Sequence, residues 1–237
     1  MSTYVLVHGS YHGGWCWEKV VPLLRRSGHD ALAPDLPTHG EDGTPVSEAS
    51  LDGYAEHVCG VLDSLPEPAI LVGHSMAGAV ISRVAELRPD AIEALVYLCG
   101  YLLRAGESMR QVSEADDEGL LMPNMVVAPD RGTVSILPDA ARDVFYGDCS
   151  EEDAGRAGAR LRPAPVAPLL TPMGVTKENF GRVPRVYVET ALDRAISPAA
   201  QRRMHTALPC RKVVTMETGH SPFYAAPEAL VAELVSL

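Results

Sequence analysis

The string Ala69-Ile70-Leu71-Val72-Gly73-His74-Ser75-Met76-Ala77-Gly78 carries the strongest chemical signal in the chain. An apolar strand runs into G-x-S-x-A-G and then into a helix-forming stretch, the setting in which a serine becomes an exposed nucleophile. The turn forces Ser75 into a strained backbone conformation that lifts its hydroxyl above the sheet edge. Small residues two positions either side let strand and helix approach closely. Ala77 stands where a second glycine is usual, with Gly78 following, and one extra methyl leaves the turn feasible. The N–H of Met76, at the start of the next helix, is a candidate oxyanion donor. The competing reading is a structural glycine-rich turn, against which both flanks argue.

Serine at its ordinary pKa is a poor nucleophile, so a base and an orienting acid are needed. Eight histidines compete for the first role. His74 neighbours the serine, but adjacent side chains on such a turn diverge. His29 and His205 fall on element ends or helical faces, where a solvated or packed imidazole is expected. His220 lies in Thr218-Gly219-His220-Ser221-Pro222-Phe223, after an apolar run from Val213 to Glu217, which places it at the same sheet edge as Ser75. Asp193 is the first carboxylate after the run Arg185–Thr190 and is the candidate acid; Glu189, inside that run, is a weaker one. Val5-Leu6-Val7-His8-Gly9-Ser10 offers the N–H of Ser10 as the second oxyanion donor. Gly9, Tyr11, His12, Tyr101 and Phe223 are candidate substrate contacts, each with core packing as its alternative. Trp15 and Trp17 read as core wedges behind the oxyanion loop.

No metal is expected, because His8, His12 and His39 make only an H-x-x-x-H spacing on a loop without a third close ligand. No G-x-G-x-x-G follows a strand and no P-loop is present, so no nucleotide cofactor is expected.

These residues need a scaffold that delivers them to one edge. Short apolar runs recur at Thr3–His8, His29–Pro34, Ala69–Gly73, Leu95–Cys99, Arg185–Glu189 and Lys212–Glu217. Most are apolar nearly throughout, as strands covered on both faces should be. Helical candidates lie between them at Trp17–Ser27, Leu51–Leu65, Met76–Leu87, Pro198–Leu208 and Pro227–Leu237, giving a mostly parallel, doubly wound α/β sheet of about six strands. Gly28 reads as a left-handed helix stop, and Pro22 bends or starts the first helix. Residues 102–183 exceed the needs of one crossover. That stretch predicts a mostly helical cap inserted over the carboxyl edge, within a single domain spanning residues 1–237.

Composition sets the remaining limits. With 31 acidic against 20 basic side chains, the net charge is −11, which disfavours nucleic acid and anionic membrane surfaces as partners. The longest uncharged apolar run, Ala94–Leu103, is too short to span a bilayer. The beginning Met-Ser-Thr shows no signal-peptide pattern. Five cysteines without C-x-x-C spacing make no disulfide or zinc framework and read as reduced thiols. The expectation is a cytoplasmic protein acting on a small molecule.

The chain order Ser…Asp…His is that of α/β-hydrolases. The segment Val5 to Trp17 resembles the first motif of plant methylesterases and hydroxynitrile lyases, and of bacterial esterases built like them. The similarity continues through Gly28-His29, Leu71–Ser75, Arg185–Val188 and Asp193 to Gly219-His220, and thins within 102–183 to Leu161-Arg162-Pro163 and its neighbours. The resemblance implies an α/β-hydrolase fold with a small helical cap, a Ser75–Asp193–His220 triad, no cofactor, and a possible homodimer. The cyanohydrin-cleaving lyases carry Thr at the position of Gly9 and Lys just after the catalytic histidine, where this chain has Ser221. The esterase branch is therefore favoured, and Ser75 argues against the relatives that lost the serine and became decarboxylases. The expected chemistry is cleavage of a small carboxylic ester through an acyl-enzyme. A lactonase or thioesterase would use the same groups; a slow-turnover small-molecule receptor and a cofactor-free lyase are the remaining alternatives.

Overall fold

A computed structural model describes all 237 residues. Six strands form one parallel sheet: β1 (Thr3–Val7), β2 (Asp30–Leu32), β3 (Ala69–His74), β4 (Ile92–Leu98), β8 (Arg185–Thr190) and β9 (Lys212–Met216). Their spatial order is β2-β1-β3-β4-β8-β9, and every pairing is parallel. The chain moves outward from β1 to β2 and then crosses to β3 on the other side of β1. This reversal opens a crevice beyond the carboxyl ends of β1 and β3, the place where such sheets bind ligands.

Alternation along the strands divides the interior into two cores. Val5, Val7, Leu71, Leu95, Tyr97 and Tyr187 face α2 (Leu51–Asp63), α3 (Ala77–Leu87) and α8 (Pro198–Ala207). Tyr4, Leu6, Ile70, Val72, Val96 and Val188 face α1 (Val20–Arg26) and α10 (Pro227–Val235), with Trp17 and Phe223 wedged beneath the carboxyl edge. Strand β3 is buried at every residue, which its unbroken apolar sequence anticipates.

The helix ends follow local chemistry. Ser50 and Ser197 accept N–H bonds from Gly53 and Ala200, capping α2 and α8. Gly28, at φ +84°, stops the chain after α1. Pro22 is the third residue of α1, where the N–H it lacks would have had no partner, so the helix continues undisturbed. No helix is long and apolar enough to cross a membrane.

Two expectations need correction. Strand β4 begins at Ile92 rather than Leu95, because exposed Glu93 interrupts the apolar run; the pairing with β3 passes over it, from Ala69–Ile92 to Ile70–Ala94, and then continues to Leu98. The stretch between β4 and β8 is also not mostly helical. It contains α4 (Met109–Glu114), α5 (Pro138–Phe145), α6 (Glu151–Gly158) and α7 (Ala167–Leu170), together with an antiparallel sheet of β5 (Met125–Val127), β6 (Thr133–Ile136) and β7 (Ala164–Pro165). A short helix, α9 (Pro222–Ala225), follows the last strand.

Backbones approach closely where β3, α3 and β4 cross. A Cβ on Gly78 would lie 2.6 Å from the backbone nitrogen of Tyr101, and one on Gly73 would lie 2.6 Å from the carbonyl oxygen of Ala77. Both obstacles are backbone and cannot rotate away. Gly78→Ala is therefore expected to lose about 1–3 kcal/mol of stability, as overpacking does. Urea unfolding monitored by circular dichroism checks it, and an unchanged midpoint would contradict the close approach.

Candidate active site

Ser75 sits one residue past β3 with φ +54°, the left-handed conformation expected of a nucleophile turn and unfavourable for a residue with a side chain. Neighbouring backbone holds it there. Its N–H donates to the Leu98 carbonyl at 3.2 Å, and its carbonyl accepts N–H bonds from Gly78 and Tyr101, both at 3.0 Å. Gly9 passes so close that a Cβ would stand 2.8 Å from the Cβ of Ser75, so the loop after β1 packs directly on the elbow. Ser10 follows on that loop, and Met76 begins α3. Neither N–H donates to a turn or loop carbonyl, which leaves both available to a ligand oxygen.

Asp193 and His220 arrive from the ends of β8 and β9. His220 Nδ1 donates to Asp193 Oδ2 at 2.8 Å, with both side chains almost wholly buried. The other bonds to Asp193 come from Thr190 Oγ1 at 2.9 Å, Gln201 Nε2 at 3.0 Å, and the N–H groups of Ala195 and Ile196 at 2.8 and 3.0 Å. A buried carboxylate with this many donors is fully hydrogen-bonded and fixed in orientation. Gln201, on the inner face of α8, escaped the sequence reading, since a lone glutamine in a helix reads as surface. Glu189 is held elsewhere, by Arg202 at 2.7 Å and His205 at 3.2 Å.

Ser10, Ser75 and His220 open on one cavity of about 530 Å³. Tyr11 and Tyr101 line it as expected; the Tyr101 hydroxyl is 2.6 Å from that of Ser113, also on the wall. Most of the remaining lining comes from the stretch between β4 and β8, including Met109, Leu121, Met122, Val134, Phe145 and Leu169. No hydrogen bond joins the Ser75 hydroxyl to His220. Such contacts commonly tighten only around substrate.

Gly9, His12 and Phe223, expected at the substrate wall, do not line this cavity. Gly9 is instead the contact between the loop after β1 and the Ser75 turn. Phe223 is fully buried against Trp17 and His74, with ring centroids at 5.3 and 4.9 Å. His12 donates from Nδ1 to the Ser10 carbonyl and faces the Tyr146 hydroxyl at Nε2, both at 2.8 Å. Ser221 is fully buried and also absent from the wall.

His12 is one of four imidazoles that serve as struts. His8 donates from Nδ1 to the Gly9 carbonyl at 2.8 Å and accepts the Leu36 N–H at Nε2, 3.0 Å. His74 donates from Nε2 to the His220 carbonyl at 2.8 Å, tying the Ser75 turn to the loop of His220. His39 bonds the Pro37 carbonyl at 3.1 Å. Burial lowers all four pKa values: His12 to about 4, His39 moderately, and His8 and His74 well below the usual range. The nitrogens of His8 and His12 are occupied within the chain, which removes them as metal ligands. His74, Cys99 and His220 bring ligand atoms within 4.8 Å of one another. However, His74 Nε2 and the Cys99 thiol both point to the His220 carbonyl, and burial holds the thiol far from ionising. Cysteine ligates a metal as its thiolate, so this donor set does not suit one.

The description "Alpha/beta hydrolase family" belongs to the family model that matches residues 4–234. Putative methylesterase 11, chloroplastic, of Arabidopsis thaliana is 31% identical across 96% of this chain, which spans 61% of that protein's length. Methylesterase 18 of the same plant is 32% identical, covering 96% of this chain and 93% of its own. Among solved structures, a pyrethroid hydrolase from Sphingobium faniae JZ-2 superposes with a TM-score of 0.88 at 27% identity, covering 99% of this chain and 96% of that one.

The four struts carry a pH consequence. In the unfolded chain each histidine takes up a proton near pH 6.5, whereas in the folded chain each remains neutral to lower pH. The unfolded state therefore binds more protons, and stability must fall as pH falls from about 7 toward 4, by up to about 1.4 kcal/mol per pH unit for each histidine involved. Melting temperatures measured across that range should drop on the acid side. A flat profile between pH 7 and 5 would mean that the imidazoles are not held neutral.

Proposed function

This chain belongs to the alpha/beta hydrolase family, and from that premise we propose that it hydrolyses small carboxylic esters through an acyl-enzyme formed on Ser75. The observation that carries the reading is the left-handed Ser75 turn opening on the same cavity as a histidine whose far nitrogen is bonded to a buried, fully hydrogen-bonded aspartate. The family membership and the methylesterase and pyrethroid hydrolase relatives support the reaction class.

Ester carbonyl carbon is attacked by Ser75 Oγ while His220 Nε2 takes the hydroxyl proton. Asp193 keeps the proton of the imidazole on Nδ1 and steadies the imidazolium. The N–H groups of Ser10 and Met76 receive the oxyanion, each worth about 3 kcal/mol by comparison with measured donors. Collapse of the tetrahedral species breaks the bond to the alkoxy group, which leaves with the proton from His220. Water then repeats the sequence on the acyl-enzyme: His220 accepts its proton, the hydroxide adds to the carbonyl, and Ser75 leaves protonated with release of the acid.

Cyanohydrin cleavage is disfavoured by two positions. A side chain at Gly9 would collide with Ser75, and Ser221 supplies neither a positive charge nor access to the cavity. Thioesters and lactones would meet the same groups, and comparison of kcat/KM across the three acyl classes ranks them.

Ser75→Ala is expected to lower kcat by about 10⁴–10⁶, and Asp193→Asn by about 10⁴ through loss of the correct tautomer. A fluorophosphonate should label the native protein at Ser75 and leave the alanine variant unlabelled. Undiminished turnover in Ser75→Ala ends the acyl-enzyme reading.

A further inference from the structure

The cavity has a mouth whose charge runs against that of the molecule. The chain carries −11 overall, yet no carboxylate lines this cavity; the charged lining groups are two cations, Arg110 on α4 and Arg131 on the turn between β5 and β6. Arg110 is already matched by Glu114, with Nε to Oε1 at 2.6 Å. Arg131 is not. Most of the other arginines engage a carboxylate or a carbonyl of the chain, the cavity's own Arg110 among them, whereas the Arg131 guanidinium makes no ion pair or hydrogen bond. The neighbouring Asp130 is occupied in holding the turn, its Oδ1 accepting the Gly132 N–H at 2.9 Å.

The backbone adds an independent observation. Arg131 has φ +58°, closing a turn in which its N–H donates to the Ala128 carbonyl at 2.9 Å. Glycine or asparagine fits that conformation at little cost, whereas a long side chain is strained there. Residues held in this conformation cluster at active sites and ligand clamps. Here the strained residue projects a free, planar, bidentate donor at the rim of an apolar cavity whose inner end holds Ser75 and His220. A guanidinium in that position matches a carboxylate.

We propose that the preferred substrates are esters whose apolar chain ends in a second, anionic carboxylate, with Arg131 gripping that carboxylate while the ester lies at Ser75. The inference rests on the ester-hydrolase reading above and names the substrate class of that same site. The apolar wall between the two ends accommodates the chain, and the unpaired cation makes a half-ester better than the corresponding diester.

The test compares monomethyl with dimethyl esters of linear dicarboxylic acids over a chain-length series, at low and high salt. At the optimal length, the native protein is expected to favour the monoester by about fivefold or more in kcat/KM, a preference that salt erodes. Arg131→Asn keeps the left-handed turn, so its melting temperature should be unchanged or higher. It should lower kcat/KM for the monoester about five- to twentyfold and for the diester less than twofold. Arg131→Lys should recover part of the monoester activity. Equal falls on both esters, or diester hydrolysis with no monoester preference at any length, overturns the assignment while leaving ester hydrolysis intact. Hydrolysis of neither ester, together with no fluorophosphonate labelling of Ser75, overturns the ester reading and the assignment with it.

Discussion

A single crowded crossing governs the geometry of this protein. Where β3 turns into α3, four glycines bring backbones closer than any side chain would allow: Gly9 against Ser75, Gly73 against Ala77, Gly78 against Tyr101, and Gly100 against the Gly73 carbonyl. That contact holds Ser75 in the left-handed region, since its N–H and carbonyl are bonded to the end of β4 and the start of the following loop. Relaxing the crossing would free three things at once. The serine would fall back to an ordinary conformation, the Ser10 loop would lose its seat, and Tyr101 would shift from the cavity wall. Local strain at one residue is sustained because the surrounding packing leaves no alternative.

The loops around that crossing carry no regular secondary structure, so something else must fix them. Neutral imidazoles do much of this. His8 joins the first loop to Leu36, His12 joins Ser10 to Tyr146, and His74 joins the elbow to the carbonyl of His220. A neutral histidine suits the task because one nitrogen donates and the other accepts, and burial keeps it in that state. His220 differs from these struts in its partner, since the group facing its Nδ1 is the Asp193 carboxylate. The same residue type thus stands in two settings, with a carbonyl behind the struts and a carboxylate behind His220.

Much of this was legible in sequence, and for a definite reason. Strands covered on both faces are apolar throughout, and a parallel sheet sends every strand end to one edge, so the residues just after the runs could be collected without knowing the loops. The same logic failed where direction rather than position mattered. His12 and Phe223 are close in sequence to Ser10 and His220, yet both turn inward, because adjacency along a loop says nothing about which side a ring takes. Gln201 was missed for the opposite reason, a polar residue on a helix that supports a buried carboxylate. The small sheet β5-β6-β7 was hidden because its strands are short and partly exposed, leaving no sustained alternation to read.

The division between conversion and choice follows from how the two parts are joined. The stretch between β4 and β8 touches the machinery at backbone positions: Asp148 accepts the Gly219 N–H at 2.6 Å, the Arg162 N–H donates to the Tyr11 carbonyl at 3.0 Å, and Asp116 accepts the N–H of Ser197 at 2.9 Å. These bonds hold the loops that carry His220, Ser10 and Asp193 without using the side chains that face the cavity. The apolar lining and Arg131 can therefore vary with little effect on the geometry of Ser75, Asp193 and His220. The geometry around Ser75 is set by the crowded crossing and its struts, whereas the wall of the cavity that Ser75 and His220 share is built mostly from residues of the stretch between β4 and β8.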